Sequence, residues 1–289
     1  MNGELAQIIA LVGHGNLFLN GGNVDLANNS TFQYVSSVKF ARYKNNQYKQ
    51  GVEVANSVSG WFSFLRSIKV TRLWNIAFAW QRQDIPEHIA ISFAGGVPMA
   101  IQADLQNGFE LWYPLWKTGG QEKKPWIIEY RSLMFSNSHV IPAQKMSSVK
   151  NTLRKAVSQA ENFAKRPDVD ANNWASWFAK SLKLLDSPDP KPPFHSDLIP
   201  MSNFSLEARQ VLTSAMQSYV FGGMGSWNDM GFQNTKTQKE YERVSKTLYE
   251  AVKLAITLAS NSFEVSQPRV ALTRLRLWDA WRFLYKFFR

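Results

Sequence analysis

The stretch IAISFAGGVPMAIQADLQNGFELWYPLWKTGGQEKKPWIIEYRSLMF, residues 89–135, sets the fold class. It is rich in β-branched and aromatic residues and is punctuated at Gly95-Gly96, Asn107-Gly108 and Gly119-Gly120. Asn-Gly between two apolar runs is the strongest short-range hairpin signal, because both residues tolerate the positive φ of a tight hairpin turn. The stretch reads as a four-stranded antiparallel meander, with strands at 89–93, 97–104, 109–116 and 126–135. Strands joined by such short turns can pair only antiparallel. Several runs are apolar on both faces, so a cover on both sides of the sheet is expected, supplied by the helical half.

Upstream, 32–43 and 52–58 read as two further strands around a polar turn at 44–50. Residues 61–80 fit a helix at 60–68 followed by a strand at 70–80, with Val70, Trp74, Ile76, Phe78 and Trp80 on one face and Arg72 among them. One continuous buried helix is the alternative. Before these comes a short element at 5–12. Turns follow, because Gly13, Gly15, Gly21 and Gly22 suit positive φ, and a brief strand lies near 17–19.

After about residue 143 the apolar period changes from 2 to 3.6. Val149, Leu153, Ala156, Val157, Ala160 and Phe163 make one face of a helix at 146–165. Trp174, Trp177, Phe178, Leu182 and Leu185 do the same at 172–186. Residues 187–193 hold four prolines in seven positions, which break the helix and stiffen a connector. Asn203 is the expected N-cap of a helix at 204–221, glycines end it, and 235–260 is the longest helix. A final helix is expected at 270–289. The fold class is α+β: an antiparallel sheet of five to seven strands from a β-rich part, 1–140, and four to five helices from 141–289, as two halves of one compact unit or as two domains.

The 289 residues include no cysteine, which removes disulfides, thiolate metal ligands and a cysteine nucleophile together. With no basic n-region before the apolar run at 8–12, and no stretch of 18 uncharged apolar residues, no secretory signal and no spanning helix are expected. These traits fit a soluble, cytoplasmic chain. The formal charge of +11 is uneven. Residues 1–135 hold 12 Lys/Arg and 9 Asp/Glu, against 21 and 13 in 136–289. The helical half is thus the basic one.

Four segments could carry chemistry. The first is the loop Gly222-Gly223-Met224-Gly225-Ser226-Trp227-Asn228-Asp229, whose exposed N–H groups could hold an anion and whose Asn228 and Asp229 could touch a ligand. Its plainer reading is a glycine C-cap with Trp227 as a packing anchor. It lacks the Gly-Lys-Ser/Thr of a P-loop and follows a helix where a dinucleotide fingerprint follows a strand. The second is Asp84, Glu87 and His88, two carboxylates and an imidazole that could do acid–base work or simply form a polar turn. The remaining histidines are His14, flanked by glycines, His139, and His195 with Asp197 two residues on. No Gly-x-Ser-x-Gly and no His-Glu-x-x-His occurs, so neither hydrolase class is supported.

The third is the basic face of the 146–165 helix, with Lys150, Arg154 and Lys155. The fourth is the tail at 270–289, where Arg282 and Lys286 flank a wide aromatic arc, as on a membrane-surface or partner-docking helix. No metal site and no cofactor is indicated. The leading expectation is an intracellular binding protein with a basic surface for an anionic partner, an acidic protein or a nucleic-acid backbone. The alternatives are an enzyme centred on the 222–229 loop and a peripheral membrane protein using the tail.

Overall fold

The computed structural model describes residues 3–26, 28–43, 51–77, 85–94, 99–135 and 144–265. Asp84, the Gly95-Gly96 turn and the whole tail with Arg282 and Lys286 lie outside those residues. The described chain is α+β, with one six-stranded sheet and seven α-helices.

The strands are β1 (Val35–Arg42), β2 (Val52–Ala55), β3 (Arg72–Ala77), β4 (Met99–Leu105), β5 (Gly108–Gln121) and β6 (Lys124–Phe135). Their order is β2-β1-β6-β5-β4-β3. A four-stranded antiparallel meander is present, but its first strand is β3 and not 89–93. The sheet is also mixed, since β1 pairs parallel to β6, from Val35 opposite Trp126 to Arg42 opposite Ser132. The β4–β5 hairpin forms at Asn107 with Gly108 at φ 121°, and Leu105 lies opposite Gly108. Gly119 and Gly120 do not make the next turn. They form a bulge inside β5, and the chain reverses at Glu122 and Lys123.

Three helices stand in the first half: α1 (Gly3–Leu19), α2 (Val58–Ser67) and α3 (Glu87–Ala94). The helix-then-strand reading of 60–80 holds, with Ser57 capping α2 by accepting from Gly60 N at 3.2 Å. In β3 the deeper face is Leu73 and Asn75, both fully buried, while Arg72 stacks on Trp74 at 4.0 Å on the other. The expected strand at 89–93 is α3, whose first turn starts at Pro86, where the fixed φ suits a helix. Its apolar run suited strand and helix equally, and packing against α7 selects the helix.

The largest departure is α1, expected as a short element followed by turns. It is apolar all round, with Leu5, Ile8, Ile9, Leu11 and Val12 at 0 % exposure, which marks a helix buried on every side. Gly13 and Gly15 are there for close approach and not for a turn. A Cβ on Gly15 would sit 2.4 Å from Leu73 Cδ1, and one on Gly13 3.2 Å from Ile199 and Pro200. So α1 packs on the sheet and α2 along one side and on the 198–200 segment along another. Gln7 donates to Thr31 O at 2.9 Å and accepts from Tyr130 Oη at 3.3 Å.

The second half contributes α4 (Met146–Ala164), α5 (Asn172–Leu185), α6 (Leu206–Gln217) and α7 (Thr235–Ser260), a four-helix bundle in which each helix packs on the next and α7 closes on α4. The cap of α6 is Ser205, whose Oγ accepts from Ala208 N at 3.2 Å, and not Asn203. One hydrophobic core runs through both halves. The sheet is covered by α1 and α2 on one face. Its other face carries a polar ladder, where Glu129 takes Tyr43 Oη at 2.6 Å, Arg131 Nε at 2.9 Å and Lys39 Nζ at 3.4 Å. Burial opposes ionisation of Glu129, but Tyr43 and Arg131 hold its carboxyl down at about 2.

Strand β3 is an edge, and two side-chain amides serve its outward backbone groups. Asn16 donates to Leu73 O and accepts from Leu73 N, both at 2.8 Å. Asn261 does the same at Asn75, at 2.8 and 2.7 Å. The amides thereby stand in for a further strand and block edge pairing. Asn16→Ala leaves both groups of Leu73 buried without partners. We expect the unfolding free energy to fall by about 2–3 kcal/mol, read from the urea midpoint at unchanged m-value. A midpoint equal to wild type would show that the amide contributes nothing there.

Candidate functional site

The first turn of α1 lies where the sheet meets the bundle. Two cavities open there, of about 860 and 800 Å³, and Gly3 and Phe194 line both. Phe194 follows the proline segment, is 47 % exposed and stacks on Trp177 at 6.3 Å, so it stands as a divider between them. The bundle-side cavity is walled by Trp174, Trp177, Tyr219 and Phe221 and by the 222–226 turn. The sheet-side cavity is walled by Tyr34, Trp116 and Trp126, with Glu4, Ser30, Thr31, Gln33 and His195 as its polar residues.

The 222–229 loop borders a cavity and is at the same time a packed turn, but no glycine caps the helix before it, since α6 ends at Gln217 with Ser218 as its C-cap. It lines the first cavity through Gly222, Gly223 and Gly225. It is also a locally bonded turn: Ser226 N donates to Gly223 O at 3.2 Å, Ser226 Oγ to Gly222 O at 2.9 Å and Trp227 N to Val220 O at 3.1 Å. The N–H of Gly225, at φ 78°, is taken by the Asp229 carboxylate. That donor is therefore engaged within the loop and does not face an anion. Trp227 is fully buried in the bundle, with Nε1 on Ser245 Oγ at 2.7 Å.

Asn228 turns the other way and donates to His88 O at 2.7 Å, so two segments singled out in the sequence do meet. Glu87 accepts from Tyr249 Oη at 2.7 Å and from Lys253 Nζ at 2.5 Å. Burial and then Glu87 push the Tyr249 hydroxyl far up, so it stays protonated and donating. His88 packs on Phe221 at 6.1 Å, and burial followed by the charge of Lys246 lowers its pKa, leaving it neutral at pH 7. Neither Glu87 nor His88 lines the cavity. They stand behind Phe221 and support it.

The basic face of α4 is largely used internally. Lys150 donates to Gln210 at 2.8 Å, Arg154 forks onto Asp186 at 3.0 and 2.6 Å, and Lys155 alone of the three is exposed.

A third cluster needs tertiary structure to be seen. Asp197 accepts from Ser30 N at 2.7 Å and from Ser30 Oγ, and Ser30 Oγ lies 2.8 Å from His195 Nδ1. Its backbone carbonyl also takes Asn29 Nδ2 at 2.8 Å and meets His14 Nε2 at 3.0 Å. Only the His195–Asp197 spacing hinted at this in the sequence. The residue types are those of a hydrolase triad, but the order is not. In a triad the imidazole takes the serine proton and the carboxylate holds the imidazole. Here the single hydroxyl proton of Ser30 goes to Asp197, so Oγ accepts from His195 Nδ1–H. Ser30 is not activated as a nucleophile. The relay instead orients His195 and fixes its tautomer, which leaves Nε2 as an acceptor. Burial lowers the pKa of His195 against the opposing pull of Asp197, so the ring is neutral at pH 7. For Asp197, burial acts upward, but the two bonds from Ser30 hold its carboxyl below the usual range.

Among the described residues no cluster of three or more metal-ligating side chains occurs, and no helix is long and apolar enough to cross a membrane. No protein-family model, curated protein or solved structure matches this chain.

Proposed function

We propose that the protein is an intracellular binding protein whose ligand lies in the cleft at the first turn of α1, across Phe194. The observation that carries this is the pair of adjoining cavities, each within the size range of small-molecule sites and walled by aromatic side chains around a few polar groups. The absence of cysteine supports a reducing compartment. Binding is favoured over turnover because Ser30 has its proton committed to Asp197, while Glu87 and His88 stand behind the wall. An anionic protein or nucleic-acid backbone bound on α4 has weaker support, since Lys150 and Arg154 are already engaged.

Gly223 supplies the test. A Cβ there meets nothing within 4 Å, and the residue lines the bundle-side cavity. Gly223→Trp should fill that cavity while the melting temperature stays at the wild-type value. In a ligand-observed NMR screen of aromatic fragments, wild type is expected to bind members of the set and Gly223→Trp to lose them. A folded Gly223→Trp that binds the same fragments equally well would refute the cleft as the binding site, and so would a wild type that binds none.

A further inference from the structure

We infer that the bundle-side cavity selects an uncharged, planar ring carrying a hydrogen-bond acceptor, and that the Tyr219 hydroxyl is the donor that reads this acceptor. This rests on the cleft being a binding site and names the class of ligand for its bundle-side end.

Tyr219 lines the cavity and is itself only 8 % exposed. Its hydroxyl has no hydrogen-bond partner among the described residues. Buried phenols normally have one: Tyr249 donates to Glu87, Tyr241 to Trp227 O and Tyr130 to Gln7. Unlike Trp61 Nε1, which is sealed off without a partner, the Tyr219 hydroxyl stays within reach of the cavity. Burial, followed by the charges of Glu4 and Glu87, raises its pKa, so it keeps its proton at neutral pH. An unspent donor on a cavity wall is one that a ligand acceptor can take.

The other polar groups of the wall are largely spent. Trp177 Nε1 donates to Gln217 O at 2.5 Å. Ser226 Oγ donates to Gly222 O at 2.9 Å and accepts from Asn228 N at 3.2 Å, and the Gly225 N–H is on Asp229. A sugar would leave most of its hydroxyls without partners there, each at a cost. What the wall offers is ring surface. Trp177 and Phe194 stack with their planes 27° apart and make one platform, and Phe221 stands at 87° to Tyr219. Flat rings pack on such surfaces offset-stacked or edge-to-face.

No charged side chain lines this cavity among the described residues. Fields of both signs reach it from outside. The N–H groups of the first turn of α1 are positive, and the chain's α-amino group, which acts on His195, adds to them. Glu4 in the same turn and Glu87 oppose them. Neither a cation nor an anion finds a counter-ion in the wall, and burying an unpaired charge costs far more than burying a neutral ring.

The test uses three rings of nearly one shape: benzamide, uncharged, benzoate, negative, and benzamidinium, positive. Toluene is added as a ring without an acceptor. Binding to the full chain is titrated by ligand-observed NMR. Benzamide should bind saturably at roughly millimolar concentration, and each ion at least about tenfold more weakly. Tyr219→Phe removes a hydroxyl that bonds to nothing else in the described chain, so it should melt at the wild-type temperature. It should weaken benzamide at least about fivefold and toluene less than about twofold, a split that a merely structural change would not produce. Gly223→Trp should abolish both.

Benzoate or benzamidinium binding as tightly as benzamide overturns the assignment, and that comparison needs no variant. Benzamide and toluene weakened equally by Tyr219→Phe, or neither weakened, overturns Tyr219 as the donor. If none of the four binds while other fragments blocked by Gly223→Trp do, the neutral-acceptor site is refuted and the cleft stands. If wild type binds no fragment at all, the cleft falls with it.

Discussion

Trp227→Ala lowers the unfolding free energy by about 3–5 kcal/mol, the range for deleting a fully buried indole. Its ring is surrounded by Phe178 at 5.1 Å, Tyr241 at 5.6 Å, Trp174 at 5.9 Å and Phe163 at 6.2 Å, so alanine opens a cavity that four rigid rings cannot collapse to fill. Two hydrogen bonds converge on the same residue: Nε1 donates to Ser245 Oγ at 2.7 Å, and Tyr241 Oη donates to Trp227 O at 2.5 Å. Trp227→Phe keeps most of the ring contact and loses only the first of these, so it should recover more than half of the loss. The short 3-10 turn Trp227–Asp229 also sets Asn228 on His88 and so backs the Phe221 wall. The alanine variant should therefore lose fragment binding at temperatures where it is still folded. Denaturant melts of the three proteins decide the matter. A loss under about 1 kcal/mol would mean that Trp227 is a surface anchor and not a core residue.

Arg42→Ala costs about 3 kcal/mol at neutral pH, and the deficit shrinks on acidification. Glu110 is fully buried on β5, bonded to the Arg42 guanidinium, which also lies 5.4 Å over the Phe64 ring. Burial raises the Glu110 carboxyl above its ordinary value, and Arg42 is the charge that opposes this. Removing Arg42 leaves a buried carboxylate without its cation, which typically costs about 3–5 kcal/mol. The lower end applies because the Arg42 side chain is 34 % exposed and water can follow it out.

The sign of the pH effect follows from the raised value. Between the unfolded and folded pKa the folded state binds more protons, so stability increases as pH falls through the folded pKa and levels off below the unfolded one. Without Arg42 the folded value rises further, so the variant gains more than wild type as the pH falls from neutral towards the unfolded carboxyl's range. Adding Glu110→Gln should restore most of the loss at neutral pH and remove the pH dependence. Urea melts across that range read both effects. A deficit independent of pH would assign the cost to the lost Phe64 contact, not to the buried charge.

Where an element is amphipathic, its residues were enough to place it. The stripes of α4 and α7 repeat at 3.6 because each helix buries one face in the bundle, and α7 runs over the expected 235–260. The β4–β5 hairpin followed from Asn107 and Gly108, since few residue pairs suit that turn. The zero cysteine count is equally a matter of sequence.

Tertiary structure alone decided the rest. Helix α1 is buried on all sides, so it has no stripe to read, and its glycines mark where Leu73 and Ile199 come close. Helix α3 is a short apolar run whose conformation is chosen by α7 and the Trp227–Asp229 turn. The parallel β1–β6 pair joins strands far apart in the chain, and no local turn signals it. The cleft is of the same kind. Glu4, Ser30, Trp116, Trp126 and His195 come from separate elements, and each by itself resembles an ordinary core or loop residue. Local periodicity records only what a segment does to its own backbone, whereas a site assembled by long-range packing leaves its evidence in distances between segments.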